Sequence, residues 1–244
     1  MLTQKEVQFY RENGYLVKDN VLSREELTAL QTVTDEFVEK SRTLEENNEI
    51  YELETDHSFD YPRIRRIKKP TTHHEVYDQT QSNPKILDIV EALVGPDIAV
   101  NGSKVNMKTA GVGCPVEWHQ DWPFHPHTND DLLAVGVYLD DATTENGCML
   151  AIPGSHQGPI LDHHQDGCFI GAVSEESFTA EGAVPLEVKA GGISIHHART
   201  LHGSAPNQSG NPRRLLLFQF LAADAWPLYG SADYWPEWSD YENS

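Results

Sequence analysis

Three cysteines are all that the 244 residues contain. Cys114, Cys148 and Cys168 are odd in number and form no CxxC pair. That excludes a disulfide framework and a cysteine zinc site, and it fits a reducing, cytoplasmic compartment. No run of about 18 apolar residues exists, so no membrane-spanning helix is expected. Met1 to Val17 lacks a basic stretch followed by an apolar one, so a secretory signal is not expected. Basic residues are scarce: 18 Lys and Arg stand against 38 Asp and Glu, a formal charge of −20. Such a balance opposes a nucleic-acid partner, which needs basic patches. Repeats and low-complexity stretches are absent as well. What remains is an ordinary globular composition, 39% hydrophobic and 23% charged, long enough for one large β-rich domain or two small ones.

The pattern along the chain changes once. Residues 3–13 read as a helix with Thr3 as N-cap and Gly14 as stop. Tyr15-Leu16-Val17 is a short extended piece. A second helix starts at Ser23, where Glu26 three residues on completes a capping-box signature, and runs to about Ser41. The acidic stretch from Glu45 to Asp60 reads as loop. A basic run from Arg63 to Lys69, bounded by Pro62 and Pro70, reads as a strand. Pro84, an apolar stripe and Gly95 define a helix over 84–94. From Asp97 onward the signal is short strands, over 98–108, 115–121, 132–139, 148–152, 184–189, 192–197 and 214–221. Helices first and strands afterwards make an α+β chain, mainly β, whose strands form a sandwich or barrel.

Chemistry concentrates at Glu117-Trp118-His119-Gln120-Asp121-Trp122. On a strand, residues two apart share a face, so His119 and Asp121 are expected to point into one cavity. They supply two thirds of a 2-His-1-carboxylate triad, which leaves coordination positions open on Fe(II) for oxygen chemistry. The third ligand is expected from His202, in Leu201-His202-Gly203-Ser204. Eleven residues later Arg213 opens an apolar strand, and a hairpin between them would return Arg213 towards His202. A buried arginine beside an iron site suits a dicarboxylate cosubstrate, one end on metal and the other on the guanidinium.

His119-x-Asp121, Asn146-Gly147, Pro153-Gly154-Ser155-His156 and His202-x-Ser204-x-x-Asn207-x-Ser209-x-x-x-Arg213-Arg214 together resemble the phytanoyl-CoA dioxygenase family of Fe(II)/2-oxoglutarate oxygenases. The resemblance runs from the first helix to about Phe220. It implies a double-stranded β-helix, or jelly-roll, core of the cupin-like kind. It implies iron on His119, Asp121 and His202, the distal carboxylate of 2-oxoglutarate on Arg213, and help there from Ser204. O2 is then the second cosubstrate. The chain is expected to be one dioxygenase domain over 1–244. Its helical part covers about 1–96, its jelly roll about 97–222, and an aromatic, acidic tail 223–244. The carboxylate at position 121 points to hydroxylation, since halogenases of the family leave that coordination position to chloride.

Each residue has a plainer role beside the functional one. His164-Gln165-Asp166 carries the same tripeptide but lies in a polar, loop-like stretch. His196 and His197 compete with His202 and are otherwise core residues or supports. Arg214 alternates away from Arg213, towards surface carboxylates. Lys104, Asn106 and Lys108 share a face that either meets water or lines the jelly roll. In the second case Asn106 bonds 2-oxoglutarate and Lys104 meets it or the substrate, as the family pattern favours. In the basic run, a solvated strand stands against Arg63 or Arg66 at the pocket mouth, contacting an anionic group. Trp122, Phe124 and the tail aromatics either pack the core or wall the site. His73, His74, His125, His127 and His156 read as solvated or structural.

The expected activity is hydroxylation of a small-molecule C–H bond with release of succinate and CO2, by a monomer or homodimer. A non-catalytic jelly roll that binds a metal and a small ligand is the alternative. A zinc hydrolase on the same three ligands ranks below both, because it has no use for Arg213 or Ser204.

Overall fold

In the computed structural model, residues 1–111, 113–174 and 177–228 are described. Helix α1 (Gln4–Asn13) leads into β1 (Tyr15–Lys18), α2 (Arg24–Ser41), β2 (Tyr51–Leu53), β3 (Ile64–Lys68), α3 (Glu75–Gln81) and α4 (Pro84–Val94). Strands follow: β4 (Ile98–Lys108), β5 (Val116–His119), β6 (Leu132–Tyr138), β7 (Met149–Ala151), β8 (His164–Gln165) and β9 (Cys168–Phe169). The last four are β10 (Val184–Leu186), β11 (Ile193–His197), β12 (His202–Ser204) and β13 (Arg213–Ala222).

The helix boundaries follow local capping chemistry. Thr3 and Ser23 each accept from the backbone N–H three residues on, while Glu6 and Glu26 reach back, so both capping boxes close. Asn83 caps α4 and Pro84 sits at its first position, where its missing N–H costs nothing. Gly14 ends α1 in the left-handed region at φ 77°, against His156, where a Cβ would collide with that ring.

All the ladder pairs are antiparallel. A seven-stranded sheet runs β1-β11-β6-β13-β4-β3-β2, a four-stranded sheet runs β10-β7-β12-β5, and β8-β9 form a separate ribbon. Alternation sorts the large sheet into two faces. Leu216, Phe218 and Phe220 of β13 and Val135 and Val137 of β6 join Leu30 and Phe37 of α2 and Ile86 and Ile89 of α4 in one buried core. The opposite residues, Arg213, Leu215 and Leu217, look towards the small sheet. Helices therefore buttress the outer face, and the space between the sheets is left for a site. This is the jelly-roll arrangement expected from the motif set.

Three expectations need correction. The stretch from Glu45 to Asp60 contains β2, which pairs with β3; three residues are too few for a periodic signal. The strand expected over 115–121 stops at His119. β12 and β13 do not form a hairpin. β12 pairs with β5 and β7 in one sheet and β13 with β4 and β6 in the other. The connecting loop crosses between sheets, and Asn207 shapes it through bonds to Lys108 O and Asn211 O. Ser231 to Ser244, expected from their mixed polar and aromatic composition to dock on the body or on a second subunit, lie outside the described residues, as does Tyr229. Trp226 is exposed.

Arg214 turns away from the cavity, as alternation requires. Its guanidinium meets Asp140 at 2.8 and 2.9 Å and Asp35 at 2.5 Å. The pair with Asp140 is largely shielded from water, so Arg214→Ala is expected to cost about 2 kcal/mol. Chemical denaturation checks this, and an unchanged midpoint would place the pair among ornamental surface contacts.

Candidate metal and cosubstrate site

His119 and His202 are direct cross-strand partners on β5 and β12. Their rings lie 4.2 Å apart between centroids. Asp121 reaches them differently from the sequence expectation. The strand ends, the chain turns at Gln120, and Asp121 has helical angles of φ −73° and ψ −29° as it opens the single turn Trp122–Phe124. Its Oδ1 stands 3.6 Å from His119 Nε2 and 4.0 Å from His202 Nε2. One ligand atom from each of the three residues falls within 4.8 Å of the others.

Hydrogen bonds aim those atoms. His119 Nδ1 donates to Glu117 O at 2.7 Å and His202 Nδ1 to Thr200 O at 2.9 Å. With Nδ1 protonated, each neutral ring offers its Nε2 lone pair. Burial first, then the neighbouring His119 and His196, push His202 well below its ordinary pKa, which keeps that lone pair free. Burial acts to raise the Asp121 carboxyl, but contacts with His119 and His196 overcome it and hold the group ionised, well below the usual range. His196, from β11 in the other sheet, donates Nε2–H to Asp121 Oδ2 at 3.1 Å. That bond leaves Oδ1 towards the histidines. Two neutral imidazoles and one oriented carboxylate fit Fe(II) with open positions.

The turn that carries the triad is itself pinned. Gln120 is buried. Its side-chain amide donates to Arg199 O at 2.8 Å and Pro159 O at 3.2 Å and accepts from Leu161 N–H. Its own N–H donates to His163 Nε2 at 2.9 Å. Trp118, the other neighbour of His119, packs on Phe178. His196→Leu removes the bond to Asp121 Oδ2, and Fe(II) affinity is expected to fall about 10- to 100-fold. Anaerobic Fe(II) titration measures this; unchanged affinity would remove His196 from the role.

The triad opens onto a cavity of ≈ 650 Å³ between the sheets. β4 contributes Lys104, Asn106 and Lys108, and β13 contributes Arg213, Leu215 and Leu217. Arg213 is 3% exposed and its Nε has no hydrogen-bond partner. A buried, orphaned guanidinium N–H is costly and calls for an anionic acceptor, so the residues fit a dicarboxylate cosubstrate. Ser204 of β12 lines the same cavity. Lys108 donates to Cys114 O at 2.6 Å and Ala205 O at 2.5 Å, closing the cavity floor. Burial, with Arg213 beside it, pushes the Lys108 amine down to about 7. Asn146-Gly147 serves the same floor: Gly147 has φ 77°, and a Cβ there would strike the Ala205 carbonyl.

Among the remaining expected residues, Asn106 and Arg66 line the cavity and bond each other at 3.1 Å. Arg63 does not line it. That side chain pairs with Asp56 in the preceding loop, and Arg65 takes the place at the mouth. Trp122 does not line it either; the single turn sends it behind Asp121, against Leu132, Ala198 and Leu221. Phe124, at the other end of that turn, faces the cavity 5.8 Å from the His119 ring. His125 read as solvated or structural and proves to be a lining residue. His164 is exposed and pairs with Asp162 at 2.8 Å, so the second His-x-Asp is a surface turn.

A jelly roll that brings two histidines and a carboxylate together over a cavity with a buried arginine defines a class, the non-haem Fe(II)/2-oxoglutarate-dependent dioxygenases. The chain is an enzyme of that class. It belongs to the phytanoyl-CoA dioxygenase family, whose sequence profile matches residues 10–215. A protein of Stutzerimonas stutzeri described as a probable alpha-ketoglutarate-dependent hypophosphite dioxygenase is 36% identical over 241 residues, 96% of this chain and 82% of its own length. The ectoine dioxygenase of Bordetella parapertussis is 25% identical, with 87% and 73% covered. Among solved structures, EctD from S. alaskensis with bound Fe superposes at a TM-score of 0.76 with 22% identity, covering 91% of this chain and 77% of that one. The epimerase SnoN with Fe3+, alpha ketoglutarate and nogalamycin RO gives 0.73 with 24% identity, covering 95% and 88%. Both share the fold.

Proposed function

We propose that His119, Asp121 and His202 hold Fe(II), that Arg213 and Ser204 hold the distal carboxylate of 2-oxoglutarate, and that the enzyme hydroxylates a small molecule. The observation that carries this reading is the meeting of three aimed ligand atoms and an orphaned buried guanidinium in one cavity. When bound, Fe(II) supplies the redox chemistry by which O2 converts 2-oxoglutarate to succinate and CO2 and a C–H bond to C–OH.

The chain's own residues do the rest. Arg213 and Ser204 fix one end of the cosubstrate, and Asn106, between them and the triad on β4, meets its middle. Leu215, Leu217 and Met149 give the cavity buried apolar walls that keep water from the reacting bond, and Phe124 and Ile170 line it as exposed side chains. Asp121, held by His196, occupies the coordination position that would otherwise admit a halide, which supports hydroxylation. Hypophosphite and ectoine, in the names of the relatives, are small polar molecules, in keeping with a cavity of this size.

Purified protein, Fe(II), 2-oxoglutarate and O2 test the reading. Succinate is expected to form only with Fe(II) and O2 together, to stop with a chelator, and to return with Fe(II) but not Zn(II). Turnover with Zn(II) and no oxygen would overturn it.

A further inference from the structure

The cavity is rich in positive charge although the chain carries −20. Several basic residues elsewhere find carboxylates: Lys18 with Glu6 at 2.5 Å, Arg199 with Asp130 at 2.6 Å, Lys189 with Asp141 at 2.8 Å. Lys104 does not. Its side chain is half-buried in the cavity wall, and its ammonium makes no hydrogen bond or ion pair with any described residue, although its backbone is paired in the sheet. The charges around it are Asp121, Arg66 and Glu52. Arg66 meets Glu52 at 3.1 Å, but Arg65 shares that same carboxylate at 3.6 Å. One acid thus serves two arginines. Glu54 and Glu117 also line the cavity. Glu54 lies near Lys108 at the floor, and Glu117 is exposed.

The cosubstrate does not account for this surplus. Fe(II), ionised Asp121, the 2-oxoglutarate dianion and Arg213 together sum to no net charge. Position matters too. Arg213 pairs in register with Lys108, and Leu217 with Lys104. Lys104 therefore stands four residues along β4 from the arginine, about 13 Å at the usual strand rise. Asn106 lies between. Lys104 and Arg66 share the β3–β4 wall, with Arg66 paired to Asn106 and Lys68 to Lys104. An unpartnered ammonium in a partly dry cavity is expensive unless a counter-anion arrives.

We propose that the substrate is a small oxyanion, its carboxylate, phosphonate or other phosphorus oxyanion group held by Lys104, with Arg66 beside it on the β3–β4 wall. This deepens the reading above and rests on it. A compact anion engages the ammonium of Lys104 and the guanidinium of Arg66, and its reactive bond faces the open side of the triad between Phe124 and Leu217.

The test uses the full chain loaded anaerobically with Zn(II) and 2-oxoglutarate, so that binding is read without turnover. The probes are hypophosphite, methylphosphonate and acetate, with dimethyl methylphosphonate and L-proline as neutral and zwitterionic controls. At least one anion is expected to bind about tenfold more tightly than either control. Lys104→Met and Arg66→Gln are each expected to weaken that anion about tenfold, with 2-oxoglutarate affinity in Lys104→Met within about twofold of the parent. The ranking of phosphorus oxyanions against acetate then assigns the group. Two results would overturn the proposal: no anion binds, or Lys104→Met weakens 2-oxoglutarate and leaves the anion untouched. The class reading fails separately, if the Fe(II)-loaded parent never consumes 2-oxoglutarate in the presence of O2.

Discussion

Asp121→Ala is expected to abolish substrate-dependent succinate formation. Asp121 is the one anionic member of the proposed triad, and it sits where two Nε2 lone pairs converge. Removing partners outside the coordination shell already costs about 10- to 100-fold in affinity or activity; removing a ligand costs more. The fold is expected to survive, since neither the sheets nor the helical core depend on this side chain. Anaerobic Fe(II) binding and succinate release, measured together, check the expectation. Undiminished turnover in a folded Asp121→Ala protein would refute the triad. His196 sharpens the experiment, because it loses its acceptor in the same variant. His196→Leu alone is expected to weaken the metal, while Asp121→Ala is expected to eliminate it.

Arg213→Met is the second large effect, and it separates binding from stability. The arginine is buried beside Lys108, and burial lowers its affinity for its own proton. In the free protein its Nε is unsatisfied. Replacing it with an apolar side chain of similar length is therefore expected to leave the melting temperature of the free protein equal or higher. The 2-oxoglutarate requirement is expected to rise about 100-fold, the loss of a buried charge-assisted pair. Metal content stays intact. Added 2-oxoglutarate stabilises the parent through mass action and is expected to stop doing so in the variant. An unchanged cosubstrate requirement would move the anchor to another cation.

How much of this was legible in the sequence depends on range. The caps at Thr3 and Ser23 and the Pro84 start are local chemistry and were readable. So was the opposition of Arg213 and Arg214, because strand alternation is a fixed period. His119 and Asp121 meet as expected but for another reason: the strand ends between them and a turn redirects the carboxylate. The pairing of His202 with His119 depends on register between distant strands, and no local pattern encodes register. The hairpin expected before Arg213 failed on the same ground. Arg63 and Trp122 were misplaced because a loop carboxylate, Asp56, and a single helical turn decide their directions. Alternation puts Lys104 on a face with Asn106 and Lys108, but that Arg66 shares one carboxylate while Lys104 has none appears only when the wall is assembled.

The most direct test is a crystal structure grown without oxygen, with Fe(II) and 2-oxoglutarate bound. One ion is expected on His119 Nε2, His202 Nε2 and an oxygen of Asp121, with the distal carboxylate of the cosubstrate on Arg213. An ion held by other residues, or a cosubstrate carboxylate that leaves Arg213 unpaired, would contradict the assignment.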